Sequence, residues 1–441
     1  MEHADYADKL SRMIQKKTVS EYFGKDLTAF LDFHELLKEL FPKFFSLCET
    51  EVFDGSLLIR WKGKSAGKPI LFMNHHDVVE ADGNWTHEPF SGEIEDGKIW
   101  GRGALDTKGG LFCMLEAANQ LCLENFTPEN DIYFVSACTE ECDSTGADKI
   151  SRELERRNIR FAFSLDEGGL IVHDPIGGAD GDFAMVAVAE KGCCSLKFTA
   201  LSTGGHASRP SKNTPLVRLG KFMNEFERRS VFERYCPDPA CEMFKRMNRK
   251  TKGFMKFALR HPYARRFILA RLLPLFSDTA GAMMHTTLAF TMAKGSGSAN
   301  ALPNEAWVVG DMRYSHRQGF ESSMAVIKKT ADKYGIKVEV TDPPFDSGIS
   351  DFKSEEFSLI EKAVEKFFPD VIAAPYVSTT ASDNRFMNRV ADNCFGFVPI
   401  KVSDSQLDSI HGIDENVDVS ALAPAVEFYK YVMKEGSGNV R

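Results

Sequence analysis

The sequence predicts an α/β protein, a mostly parallel sheet with helices on both faces, interrupted by an inserted α+β unit. Three observations carry this reading. Apolar strand, polar loop and amphipathic helix alternate as far as residue 170, the pattern of a parallel sheet. From residue 190 the strands alternate polar and apolar, as half-exposed strands do. After residue 345 the α/β pattern returns. In order, residues 26–48 place Phe30, Leu31, Phe33, Leu36, Leu37, Leu40 and Phe41 at helical spacing. Ile70–Met73 reads as a buried strand, and residues 111–122 as a helix with one apolar stripe. Asp131–Ser136 and Phe161–Leu165 read as further buried strands. Then come a strand at 194–200, a helix near 216–226, strands at 284–292 and 306–313, a helix at 320–334 and a strand at 336–341. A helix at 354–367 resumes the first pattern, and the tail 435–441 is expected to fray. The expected division is a discontinuous catalytic domain, 1–189 and 346–441, around an inserted lid, 190–345, which carries a helical basic-aromatic insertion near 230–280.

A chain of 441 residues exceeds one compact core. Its 43% hydrophobic and 27% charged residues are ordinary for a globular protein. The formal charge of −9 argues against nucleic-acid binding, which needs a basic footprint. The ten cysteines show neither zinc-finger spacing nor disulfide-scaffold density. The acidic, polar opening lacks a signal-peptide pattern, and no apolar run reaches a membrane span. These features make a cytoplasmic location the expectation.

Five clusters of carboxylate or imidazole fall in loops, several directly after an apolar strand. They are His75-His76-Asp77, Asp106, Glu140-Glu141, Asp166 and His411. In open α/β sheets, sites collect at the carboxyl ends of strands. Imidazole and carboxylate are ligands of zinc and its neighbours, and an aspartate can bridge two cations. Such a pair clamps a hydroxide and polarises a carbonyl. A carboxylate outside the ligand set must carry the proton to the leaving amine. Adjacent glutamates fit that division, one ligand and one base. Asp77, two residues after His75, is placed to fix the imidazole tautomer. Alone, each cluster reads as polar surface; together they point to a metal hydrolase.

The residues resemble the dinuclear zinc amidohydrolases that include aminoacylase, carboxypeptidase S and succinyl-diaminopimelate desuccinylase. The resemblance runs through Asn74-His75-His76-Asp77, Gly101-Arg102-Gly103-Ala104-Leu105-Asp106-Thr107-Lys108-Gly109-Gly110 and Thr139-Glu140-Glu141. It continues through Asp166-Glu167-Gly168-Gly169, Gly204-Gly205-His206, Asn300-Ala301-Leu302-Pro303, Arg313, Ser382-Asp383-Asn384-Arg385 and His411-Gly412. It implies that His75, Asp106 and Asp166 bind one divalent ion and that Asp106, Glu141 and His411 bind a second. The ions would be zinc, with cobalt or manganese permitted by the same donors. Glu140 would be the general base and acid, and Asp77 would orient His75. His206 would reach the oxyanion, from its own subunit or from the partner in a homodimer formed through the lid. Asn300, Arg385 and Arg313 would hold the substrate carboxylate or carbonyl. His76 occupies a slot usually held by an apolar or small residue, and spacing to Asp77 favours His75 over it as ligand.

The resemblance is nearest to the carboxypeptidase S and N-acyl amino acid hydrolase branch. It implies hydrolysis of an amide beside a free carboxylate, in an N-acyl amino acid or a short peptide. A dipeptidase of the aminopeptidase type would need a carboxylate for the free α-ammonium, and the sequence identifies none. The alternative from another class is a catalytically inactive binding protein on the same fold; retention of both glutamates argues against it. Residues 243–277 hold ten Lys or Arg and no acid among many apolar side chains. They read either as amphipathic helices packed on the insert or as a greasy, cationic lid over the substrate.

Overall fold

The computed structural model describes residues 2–22, 24, 26–228, 231–275 and 277–439. Phe276, Val440 and Arg441, and the side chains of Phe254 and Met255, lie outside the described residues. The large sheet runs in the order Glu49–Phe53, Ser56–Trp61, Ile132–Ser136, Ile70–Met73, Phe161–Asp166, Ala391–Gly396, Asp182–Glu190, Ile372–Ser378. Its centre is parallel: Ile70–Met73 pairs in parallel with both Ile132–Ser136 and Phe161–Asp166, which pairs in parallel with Ala391–Gly396. Antiparallel hairpin pairing closes one edge.

Period-two alternation splits the central strands between two cores. Ile70, Phe72, Ile132 and Phe134 pack with helices Lys108–Leu123 and Val419–Asn439. Leu71, Met73, Tyr133 and Val135 pack on the other face with helix Thr145–Arg156. The apolar run at 26–48 forms two helices, Thr28–Leu40 and Pro42–Leu47, because Pro42 cannot continue the first. The tail departs from the expected fraying: helix Val419–Asn439 holds residues 435–439, and Ser437, 1% exposed, accepts the backbone N–H of Asn130 on its own carbonyl.

A second, fully antiparallel sheet runs Thr287–Lys294, Glu305–Tyr314, Gly192–Leu201, Ile336–Val340. Cys194, Leu196, Phe198 and Ala200 turn to one side and meet Leu219 and Phe222 of helix Pro215–Arg228, and Met324 and Ile327 of helix Gly319–Asp332. This is the inserted α+β lid. The basic-aromatic segment corrects the expectation that it packs on the insert. Ala240, Met243, Phe244, Met247, Leu259 and Leu269 are buried with Phe183, Met185 and Ala374 of the large sheet. The reason is the alternation of Asp182–Glu190: Ala184, Val186 and Val188 face the main core, so Phe183 and Met185 need their own cover. Among the described residues, no helix is long and apolar enough to cross a membrane.

A candidate metal centre

The strand ends and the loops after them converge on Asp106. Asp106 Oδ1 lies 3.0 Å from His75 Nε2, and its Oδ2 lies 3.0 Å from His411 Nε2. One carboxylate therefore spans two imidazoles. His411 Nε2 is also 3.1 Å from Glu141 Oε2, and Glu140 Oε2 is 4.0 Å from His75 Nε2. Donor atoms of His75, Asp106 and Glu141 lie within 4.8 Å of one another, as do those of His75, Glu140 and Glu167.

The loop bearing Asp106 is held from beneath. Glu415 is fully buried and accepts the backbone N–H groups of Gly103 (3.0 Å), Leu105 (2.8 Å) and Asp106 (3.0 Å). Arg102 Nη1 pairs with the same carboxylate at 2.7 Å. Gly101 and Gly103 have φ of +144° and +89°, where a side chain is strained. A Cβ on Gly109 would stand 2.3 Å from the Ala104 carbonyl, so the helix can start against the loop only with glycine there. Asp77 performs the matching task for the glutamates. Its Oδ2 accepts Glu141 N–H (3.0 Å) and Ser20 Oγ (2.7 Å), and its Oδ1 accepts Glu140 N–H (3.3 Å). Asp77 Oδ1 also lies 3.3 Å from His75 Nδ1, whose other near neighbour is the Asp77 carbonyl at 3.0 Å.

His75 and His76 point to opposite sides. His76 is fully buried, stacks on Phe33 at 5.2 Å and bonds Ser136 Oγ at 2.8 Å. Burial holds it well below the ordinary imidazole range, hence neutral. His411, with φ of +59°, adopts the left-handed conformation that aims its ring at Asp106.

The electrostatics fit a cation. Burial pushes Glu140 and Glu167 well above the ordinary carboxylate range and Asp166 up to about 6. Hydrogen bonds donated to Asp106 and then Glu141 raise His411 to about 10. Burial opposes charge on His75, yet Asp106 and Asp77 lift its pKa. Glu141 Oε1 and Asp166 Oδ2 are buried with no hydrogen-bond partner. Carboxylates crowded out of water without donors gain most from a divalent ion.

A cavity of about 610 Å³ opens on this cluster and is lined by Asp106, Glu140, Glu141, Glu167 and His411. Leu170, Val172, Ile176, Met185, Met283 and Val398 give it an apolar wall. Asp174 and Asp404 also line it, and no Lys or Arg does so among the described residues. Sequence reasoning assigned no role to Glu167, although it directly follows Asp166 in a quoted motif. None of residues 243–277 lines the cavity among the described residues, which corrects the expectation of a lid wall from that stretch; Thr279 and Met283, just beyond it, do.

The remaining candidates stand apart. His206 is exposed in a two-residue strand paired with Ala301–Leu302, and its Nδ1 accepts Ser208 N–H at 3.1 Å. Asn300 is exposed beside it, its carbonyl accepting Ala207 N–H at 2.9 Å. Arg313 pairs with Asp311 at 2.8 Å. Arg385 donates to Ser144 Oγ at 3.1 Å and lies over the rings of Phe345 and Phe386. None of the four lines the cavity.

The model of peptidase family M20/M25/M40 matches residues 71–435. The chain is a member of that family. It is accordingly a metal-dependent hydrolase of amide bonds. It is 29% identical over 446 residues to the probable carboxypeptidase S-like 2 of Dictyostelium discoideum, covering 98% of this chain and 85% of that one. It is 28% identical to the human N-fatty-acyl-amino acid synthase/hydrolase PM20D1 over 430 residues, covering 96% and 86% of the two chains. The M20 family metallo-carboxypeptidase of Sulfolobus solfataricus superposes with a TM-score of 0.70 at 17% identity, covering 97% of this chain and 98% of that one.

Proposed function

We propose that this M20 member hydrolyses N-acyl amino acids bearing an apolar acyl chain, with two divalent ions, zinc in the first instance, at the His75–Asp106–His411 cluster. The observation that carries the proposal is the apolar cavity of about 610 Å³ running from the carboxylates. Burying an acyl chain there contributes roughly 0.8 kcal/mol per methylene removed from water. The relatives named for fatty-acyl amino acids support the same substrate class.

His75, Asp106 and Asp166 would hold one ion and Asp106, Glu141 and His411 the other, with Asp106 shared. Such ions supply Lewis acidity and lower the pKa of water at the scissile amide. Glu140 lines the cavity but sits 4.0 Å from His75. We assign it the proton transfer from water to the leaving amine. Asp77 keeps His75 in one tautomer and anchors the Glu140–Glu141 turn. His206 would reach the developing oxyanion, with Asn300, Arg385 and Arg313 on the substrate carboxylate, after the lid, 190–345, closes on 1–189 and 346–441. A homodimer through the lid would serve the same end. All ten cysteines are free, which supports a reducing, cytoplasmic setting.

A dipeptidase reading has one observation in its favour. Glu167, Asp174 and Asp404 line the cavity and would receive an α-ammonium. The discriminating experiment is kcat/KM on N-acyl amino acids of increasing chain length, set beside free dipeptides. The expected result is a rise with acyl length and lower values for dipeptides. A flat response, or a preference for the zwitterions, would retire the acyl reading.

A further inference from the structure

The helical cap over the edge of the large sheet has two unlike faces. Its inner face is spent: Leu259, Leu269 and Leu273 are at most 6% exposed and share a cluster with Met283, a cavity-lining residue. Its outer face is greasy and cationic. Phe257 is 74% exposed, Tyr263 61%, Ile268 45% and Leu272 42%. Interleaved with them are Lys256, Arg260 and Arg271, all exposed. Helix Gly253–Arg260 packs on the segment Ala264–Leu269, so these side chains belong to one cap.

The cations of the cap differ in their pairing. Lys245, Arg246 and Arg266 are neutralised by Glu242, Glu361 and Asp238. Lys256, Arg260 and Arg271 have no carboxylate partner among the described residues. They stand in a stretch without an acid, in a chain whose formal charge is −9. The net charge of the chain disfavours an anionic surface, and the cations of this face oppose that locally. Bulky apolar side chains set among unpaired cations match a bilayer interface: the apolar groups enter the acyl boundary while the cations meet anionic headgroups.

We propose that the outer face of the cap, Lys256 to Leu272, is a peripheral docking surface for anionic lipid bilayers. The site does not depend on which amide is cut. It adjoins the helix Asp278–Met284, which supplies Thr279 and Met283 to the cavity, so a docked molecule holds the cavity wall close to the lipid.

The test is flotation of the full chain with vesicles of phosphatidylcholine alone, or with about 30 mol% phosphatidylserine. The expected result is co-flotation with the anionic vesicles only, weakening as salt rises from about 0.1 to about 0.5 M. The variant Lys256→Glu/Arg260→Glu/Arg271→Glu loses partitioning by about fivefold or more per cation removed. The variant Phe257→Ser/Ile268→Ser/Leu272→Ser loses it as well. Both retain wild-type hydrolysis of a short, water-soluble N-acyl amino acid, which shows that they fold; should either fail to fold, the exposed pair Lys256→Glu/Arg260→Glu is the substitute. Equal flotation with neutral and anionic vesicles, no flotation, or undiminished flotation of the variants overturns the proposal. So does a wild-type dimer that the variants convert to monomer without any vesicle binding, since the face would then belong to a second copy.

Discussion

Glu140 and Glu141 are chemically identical neighbours that the fold separates by role. Glu141 reaches His411 at 3.1 Å, with a buried oxygen left unpaired. Glu140 stands farther off, and burial pushes its pKa well up, so it holds a proton more readily than an ordinary carboxylate. Glu140→Gln preserves shape and removes that proton acceptor. Its kcat should fall by about 10²–10⁴, with metal content and melting temperature unchanged. Near wild-type turnover would remove Glu140 from the chemistry. His75 and His76 show how much of a site is legible at this scale. Spacing to Asp77 singles out His75, and its Nε2 lies 3.0 Å from Asp106 Oδ1. What no local pattern revealed is that His76 stacks among Phe33, Phe30 and His34, because its partners come from a distant helix.

At the scale of elements, the loop bearing Asp106 is stabilised by a residue 309 positions away. Three backbone N–H groups and Arg102 converge on Glu415, and both members of the ion pair are almost fully buried. Truncating one partner leaves a buried charge uncompensated, which costs about 3–5 kcal/mol. Glu415→Ala should therefore lose stability of that order in chemical denaturation and bind metal more weakly, because the Asp106 loop loses its anchor. Unchanged stability and metal affinity would show that the loop holds itself. The glycines of the same loop were visible as a motif, and their reason is now physical: positive φ at Gly101 and Gly103, and a helix start too close to Ala104 for a side chain. The cap was visible as composition only. Its apolar residues had helical spacing, but spacing does not say which sheet a helix covers. The need to cover Phe183 and Met185, on the face of their strand turned from the main core, decided that.

At the scale of the whole molecule, the residues assigned to substrate and oxyanion are dispersed. His206 and Asn300 share one exposed corner of the lid, away from the cavity lining. If His206 acts only on closure or from a partner, His206→Ala should lower kcat by about 10²–10³ while leaving metal content intact. Elemental analysis beside single-turnover rates checks this. Loss of metal in the variant would make His206 a ligand and reject the assignment. A wild-type rate would remove it from the reaction.

The sequence by itself determined the layers, the strand-end clusters and the family, because each is written in local periodicity or in contiguous motifs. Strand after strand, alternation assigns the two faces, and the carboxyl end of a strand is where a loop can aim a side chain. Only tertiary structure decided that Asp106 spans His75 and His411, that Glu415 holds its loop, and that the cationic cap sits on the catalytic sheet. Each of these depends on residues brought together from tens to hundreds of positions apart, and such contacts leave no trace in local spacing. They follow from which apolar surfaces need cover and which buried carboxylates need partners, and those needs arise only once the chain has packed.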